Sequence, residues 1–352
     1  MTNVSKSSPG KLGPPLLRLA HVMGFMAFLR QLGAPVDRYL RQSGLPVMCD
    51  DPEAFVPLLR IWSFFDTASR NEDSELGWNV GAQAGDSRLN SGLLRKLETA
   101  PTLFQALRRL VLMIRAEATD LEIGIKERQD SILLYALYAG MREEPGHGIS
   151  QAYQLTVFLY LIRHFLGRQW VPDEIGIEAA DIPPGAKECF PGSRILTQQP
   201  AGYVAVPRSC LHRHPSLGDT KVGRADNPLL NDKLHDLTEN IDCLEKIHLV
   251  LKPYISEGYV SERDAADLMN TSVRTLTRRL SDYDLTYGKL IDGMRFNEAK
   301  TLLRNPDMRI GDVAHSVGFE DQGDFTRMFR RVGGLCPKEF RESVMREPDQ
   351  SV

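Results

Sequence analysis

The 352-residue sequence predicts an α+β domain over residues 15–215, followed by an all-α domain over 246–345 with two helix-turn-helix motifs joined by a long helix. Three observations predict this fold class. Apolar residues alternate with polar ones from Leu121 to Ile125, and a second apolar run follows at 132–137, which is the pattern of a hairpin. Beyond residue 227 the apolar positions recur with helical spacing to about Phe340. Within that stretch the sequence repeats itself at a constant offset of 49 residues.

Composition narrows the class of protein. Hydrophobic residues at 42% and charged residues at 25% describe a chain with enough apolar surface for a core, which excludes wholesale disorder and collagen-like structure. A formal net charge of −3 argues against a uniformly basic protein that coats nucleic acid or membrane, although a local basic face is compatible with it. Cys49, Cys189, Cys210, Cys243 and Cys336 are odd in number and scattered, with no C-x-x-C pair. Neither a disulfide framework nor a zinc ribbon is expected, and the compartment should be reducing. No run approaches the roughly 18 apolar residues of a membrane span, so a cytoplasmic protein without a membrane partner is expected.

Residues 1–14, rich in Ser, Pro, Gly and Lys, read as a mobile tail. From Leu16 to about Arg115 the pattern is mostly helical: Phe25, Phe28, Leu29 and Leu32 share a face, as do Leu58, Leu59, Trp62 and Phe65. Pro101 and Thr102 suit a helix start before Leu103. The hairpin turns at Arg128-Gln129-Asp130, a long apolar helix covers 150–166, and three short β-like runs follow at 174–178, 194–197 and 202–206. Turn formers at 215–227 mark a linker. Residues 216–245 are therefore read as that linker and the helix leading into the next domain, and 346–352 as a tail. Apolar positions between 229 and 251 come close to a heptad seam, too short for a confident coiled coil.

Placing Ala265 over Ala314 sets Leu268 over Val317, Leu276 over Phe325, Thr277 over Thr326, Arg278 over Arg327 and Leu280 over Phe329. Each copy has a short helix (261–269 and 310–317), a tight turn and a second helix, the form of a helix-turn-helix. In the first copy Val273, Leu276 and Leu280 make an inward stripe and Arg274, Thr277 and Arg278 share the opposite face. In the second, Phe325, Met328, Phe329 and Val332 point inward, leaving Gln322, Asp324, Arg327 and Arg331 outside. One charged helix face is ordinarily just solvated. Two arginines at equivalent repeat positions favour major-groove readout instead, since Arg to guanine is the commonest specific contact. A helix over 286–304, roughly 28 Å long at 1.5 Å per residue, would hold the two motifs at a separation suited to successive major grooves about 34 Å apart.

The segment VSERDAADLMNTSVRTLTRRL followed by RIGDVAHSVGFEDQGDFTRMFRRVGGLCPKEFR resembles the DNA-binding domain of the AraC/XylS transcription regulators. The resemblance rests most on I-x-x-V-A-x-x-x-G-F, F-x-R-x-F-[KR]-R and G-x-x-P-x-x-[FY]-R, and covers about 100 residues. A weaker likeness over 15–215, carried by SGLP at 43–46, the helix start at Pro101-Thr102 and the FPG-then-hydrophobic strand at 190–206, looks like the arabinose-binding-type sensor domain of one branch of that family. The resemblance implies a cytoplasmic bacterial regulator whose first domain binds a small molecule or dimerises and whose second binds double-stranded promoter DNA. RNA polymerase and a second copy of the chain are the implied partners, an activator is the implied role, and no cofactor is implied. Carried onto this sequence, base contacts fall to Arg274, Thr277 and Arg278, and to Gln322, Asp324 and Arg327. Gly323 departs from the longer polar residue often found there, and Asp324 carries a charge that phosphate repels.

Other constellations are weaker. Cys210, His212 and His214 lack a fourth ligand and an ordering shell, so a surface loop is expected and not a metal site. His147 sits in EEPGHG, where an ordinary loop histidine is expected. No nucleophile elbow, H-E-x-x-H or Walker motif supports enzymatic chemistry. The helix at 150–166 is apolar nearly all round, which suits a core helix, then a dimer interface, then the wall of an effector pocket with Tyr153 on it and Arg163 or His164 at its rim. A basic rim would favour an effector with a carboxylate and an apolar body. The alternative to metabolite control is control of the same DNA-binding module by a protein partner.

Overall fold

The computed structural model describes residues 13–49, 51–83, 92–215, 242–258 and 260–346. The chain falls into two compact units, one built on Pro15–Leu45 and Phe55–Ile241, the other on Asp242–Val352 together with Pro46–Ala54. Residues 216–241 of the linker and entry helix expected at 216–245, most of the N-terminal tail, the first half of the heptad-like stretch and the C-terminal tail after residue 346 lie outside the described residues.

The first unit is α+β, as the hairpin pattern implies. Strands β3 (Leu121–Glu127) and β4 (Ser131–Tyr138) pair antiparallel with Leu121 opposite Tyr138 and Glu127 opposite Ile132. β7 (Gly202–Pro207) joins the other edge of β4, and β5 (Glu174–Gly176) and β6 (Arg194–Leu196) complete a five-stranded sheet in the order β3-β4-β7-β5-β6. Only the β5–β6 pair is parallel.

Helix α7 (His147–Leu166) packs on this sheet and is buried along most of its length, which explains its apolar surface all round. Beside it run α1 (Ala20–Gln31), α2 (Val36–Gln42), α3 (Leu58–Asn71), α4 (Leu76–Ala82), α5 (Gly92–Glu98) and α6 (Leu103–Met113). α4 and α7 approach closely because Gly77 and Gly81 carry no side chain. A Cβ on Gly77 would strike the Ile149 carbonyl, and one on Gly81 the Thr156 hydroxyl.

Two elements depart from the sequence reading. The region from Leu16 to Arg115 is not all helical: β1 (Leu16–Arg18) and β2 (Phe55–Pro57) pair antiparallel as a separate ribbon, with Leu16 opposite Pro57. Three residues per strand are too few to show an alternating pattern. The six-residue helix α8 (Pro184–Cys189) is likewise too short for a periodic signal.

An acid-sensitive feature sits on the sheet. Glu174 is buried, and it accepts hydrogen bonds from the Tyr203 hydroxyl at 2.7 Å and Arg128 at 2.6 Å and pairs with Arg194. Burial pushes its carboxyl up, but these three donors prevail and bring it down to about 2 from 4.5. A folded-state value below the unfolded one means stability that is present above about 4.5 and lost as pH falls toward 2. Glu174→Gln is therefore expected to be less stable than the parent at neutral pH, with the gap closing in acid. Urea unfolding across that range measures it, and a gap independent of pH would contradict the ion pairing.

The second unit is all helical among the described residues. α9 (Cys243–Leu251) leads through a 3₁₀ segment at Lys252–Glu257 into α10 (Glu262–Leu268), α11 (Val273–Ser281), α12 (Tyr287–Leu303), α13 (Ile310–Ser316), α14 (Gln322–Gly333) and α15 (Pro337–Arg346). Local chemistry sets the starts of these helices. Ser261 and Asp264 form a capping box, and the side chains of Ser272, Thr286 and Asp321 accept from the backbone N–H three residues on. Such caps stop and restart a chain that is helix-forming throughout.

Candidate nucleic-acid interface and sensor cavity

α10 and α11 form the first helix-turn-helix and α13 and α14 the second, with α12 running between them. Leu276 and Leu280 of α11, and Phe325, Met328 and Phe329 of α14, are buried as their spacing requires. The ends of both stripes depart from expectation, because Val273 is 40% and Val332 42% exposed. Each sits at a helix end, where the neighbouring helix no longer covers it.

The opposite faces are exposed. Arg274, Thr277 and Arg278 lie on one side of α11, and Asp324, Arg327 and Arg331 on one side of α14, with Gln322 exposed at its first position. Their surroundings differ. Among the described residues Arg274 and Arg278 form no ion pair. The Thr277 hydroxyl lies 2.7 Å from the Glu262 carboxylate, tying α11 to the first turn of α10. Asp324 pairs with Arg327 one turn along the same helix, and Arg331 reaches Asp292 of α12 at 2.5 Å. The Asp324 carboxylate thus has a cationic partner on its own helix. α12, seventeen residues long, spans roughly 25 Å.

One residue that sequence reasoning missed organises this unit. Arg295, on the buried side of α12, is 6% exposed and donates to the carbonyls of Gly258 at 2.9 Å and Gly318 at 3.2 Å. Its guanidinium also lies 4.7 Å from the Phe319 ring centre. One side chain thereby connects the segment before the first motif to the turn of the second. The signal was present in the sequence, because Arg295 falls four residues after Ile291 on the apolar stripe of that helix.

In the first unit an apolar cavity of about 60 Å³ opens beside α7, several times the roughly 10–15 Å³ that one water needs. Phe25, Phe65, Leu97, Ile123, Tyr153 and Val157 are among the side chains around it. Tyr153 lines it as expected, and burial raises its hydroxyl to about 12, so it remains a neutral donor. Arg163 and His164 do not line it. Arg163 lies ten residues past Tyr153 and donates to the Trp170 carbonyl at 2.8 Å, and burial lowers its pKa while Cys189 opposes the shift. The His164 ring packs edge-on against Phe165. Neither of the two residues expected at the rim lines this cavity, because the last turn of α7 has passed it. His21 is the titratable basic group on its lining, and its Nε2 is 3.0 Å from Glu117.

His147 is not the loop histidine expected. It is the first residue of α7, is buried, and meets the Trp62 ring edge-on at 5.4 Å. His214 places Nδ1 2.8 Å from the Pro101 carbonyl. Among the described residues no three His, Cys, Asp or Glu side chains are grouped to hold a metal, and no helix is long and apolar enough to cross a membrane.

Known proteins share these two parts. The family described as "Arabinose-binding domain of AraC transcription regulator, N-term" matches residues 33–214, just over half of the chain, and the "Helix-turn-helix domain" family matches 265–343. Relatives include the HTH-type transcriptional activator RhaS of Enterobacter sp. (strain 638), 34% identical over 106 residues, which is 30% of this chain and 38% of that protein. The ornithine utilization regulator of Pseudomonas aeruginosa is 26% identical over 146 residues, 42% of this chain and 43% of its own length. The match thus spans well under two thirds of either relative. A solved structure, the transcriptional regulator CdpR from Pseudomonas aeruginosa, aligns over 88% of this chain and 96% of its own with 18% identity and a TM-score of 0.37.

Proposed function

The chain belongs to the AraC/XylS transcription regulators with an arabinose-binding-type N-terminal domain, and from that premise we propose that it reads promoter DNA with two recognition helices, α11 and α14, under the control of a small molecule. The observation that carries this reading is the repeat: Arg278 and Arg327 occupy equivalent positions on two helices whose inner faces are buried and whose outer faces are exposed. Arg274, Thr277 and Arg278 serve one groove, and Gln322 and Arg327 the next. Asp324 acts by holding Arg327 in place, and Arg331 contacts the phosphate backbone. The protein works as a cytoplasmic homodimer that recruits RNA polymerase as an activator. Its sensor part covers residues 15–215 and its DNA-binding part 246–345. A carboxylate is no longer the expected anchor of the effector, since the cavity beside Tyr153 is apolar and the arginine expected at its rim lies elsewhere. A mostly apolar molecule with one neutral hydrogen-bonding group fits that lining best.

The test is quantitative binding to a site selected from random DNA. Arg278→Ala and Arg327→Ala are each expected to weaken binding by about 1–3 kcal/mol and to relax preference at one base pair. Binding to scrambled DNA should fall much less. Equal losses on both DNAs would reduce the two arginines to phosphate contacts and remove the sequence-reading role.

A further inference from the structure

A second hollow, of about 400 Å³, opens on another face of the first two turns of α7. Its chemistry is opposite to that of the apolar cavity. Asp66, Glu75, Arg142, His147, Gln151 and Glu178 all line it.

Glu178 forms a built floor. It is 4% exposed and Gln151 is 8% exposed. The Gln151 amide clasps it twice, donating from Nε2 to the carboxylate at 2.8 Å and accepting from the Glu178 backbone N–H at 3.0 Å. The carboxylate is thus fixed in one orientation, out of water and beside an open hollow. Its cationic compensation is poor. Arg142 is 3.9 Å away, half exposed, and donates to the Glu178 backbone carbonyl. His147 is 3.7 Å away but supplies no charge at neutral pH, because burial and the neighbouring Arg142 hold it down to about 4. Burial leaves Glu178 above the usual carboxylate range despite Arg142, Gln151 and the Gly202 N–H.

The walls add to the imbalance. Asp66 is matched by Arg70 on its own helix at 3.1 Å, and Glu75 accepts from the Gly185 N–H at 2.8 Å. With Asp66 paired, the carboxylates of Glu75 and Glu178 line the hollow against the single guanidinium of Arg142. Trp78 supplies an aromatic wall, a surface that also favours cations.

We propose that this hollow binds a small molecule carrying a cationic nitrogen, an amine or a guanidine, seated on the clasped Glu178 carboxylate. A desolvated carboxylate whose nearest cation, Arg142 at 3.9 Å, donates to the backbone carbonyl gains from a ligand that brings both charge and N–H donors. The site is separate from the cavity beside Tyr153, and nothing in it depends on how the chain reads DNA.

Thermal unfolding and calorimetric titration of the full chain with n-butylammonium and n-butylguanidinium chlorides test it, against 1-butanol and D-glucose at matched ionic strength. Only the two cations are expected to stabilise the protein in a concentration-dependent manner. Glu178→Gln should weaken their binding roughly tenfold or more. Because that change also disturbs the Gln151 clasp, a second variant is needed. A Cβ on Gly148, in the first turn of α7 and on the lining of the hollow, meets nothing within 4 Å, so the backbone there accepts a side chain and Gly148→Phe puts bulk at the hollow. That variant should fold and lose cation binding, whereas Val157→Phe, which fills the apolar cavity, should retain it. The proposal is overturned if neither cation stabilises the protein, if butanol or glucose does so equally well, or if cation binding survives Gly148→Phe.

Discussion

Phe325→Asp is expected to unfold the second helix-turn-helix, at a cost above about 4 kcal/mol. Phe325 is fully buried, with its ring centre 5.8 Å from that of Phe319 and 5.7 Å from that of Phe329. It shares its core with Leu303 of α12 and Val313 and Val317 around the end of α13. Aspartate removes most of the ring volume and leaves a carboxylate facing only apolar groups. The cavity and the unpaired charge act in the same direction. Because α12 supplies part of that core, the loss should spread beyond the motif. Circular dichroism and urea unfolding would show a reduced helix signal and a lower first transition. A parent-like midpoint would mean that α14 does not pack as described.

Arg295→Met is expected to cost about 3 kcal/mol and to weaken binding to a full two-groove site more than to either half alone. The methionine stem fills much of the same space, so the effect isolates the guanidinium. Without it the Gly258 and Gly318 carbonyls each lose a charged donor in a mostly buried place. The geometry around Gly318 explains the reach of the effect. Its φ of +79° belongs to glycine, and a Cβ there would come 2.5 Å from the Ile255 carbonyl. The turn of the second motif is therefore pressed against the segment preceding the first, with Arg295 pinning both. Footprinting on full and half sites, together with denaturant unfolding, checks the prediction. Full-site affinity equal to the parent's would show that the guanidinium does not set the spacing of the motifs.

Much of the second unit was legible because its information is local and repeated. LTRRL and FTRMF carry the same stripe in two copies, and the caps at Ser261, Ser272, Thr286 and Asp321 that the structure shows are equally local. The exposed Arg274, Arg278 and Arg327 follow directly from helical period. Val273 and Val332 were misread because period assigns a face and cannot say where the neighbouring helix ends. The pair that Asp324 makes with Arg327 was not anticipated for a related reason. Spacing allows an i, i+3 pair with Arg327 but does not weigh that pair against a phosphate.

The first unit was legible only in outline. The hairpin and the buried α7 have long patterns, whereas β1 and β2 are three residues each and their pairing joins positions some forty residues apart. A pocket wall at Tyr153 was legible in the long apolar helix, but the rest of that cavity's lining and the whole of the polar hollow were not. The apolar one is enclosed by side chains from helices and strands distant in sequence, and the polar one brings Asp66, Arg142 and Glu178 together from three separate segments. No window along the chain contains either.

Sequence alone thus determined the α+β and all-α halves, the doubled helix-turn-helix and its two basic outer faces. These are properties of hydrophobic period, capping and repetition, each encoded within a few turns of chain. Only the tertiary structure decided that Arg163 and His164 lie away from the cavity, that His147 is buried and neutral, and that Arg295 joins the segment before the first motif to the turn of the second. Those outcomes depend on which distant groups approach within about 4 Å of one another. Desolvation and pairing at that range set the charge state and role of a side chain, and a linear pattern does not carry that distance.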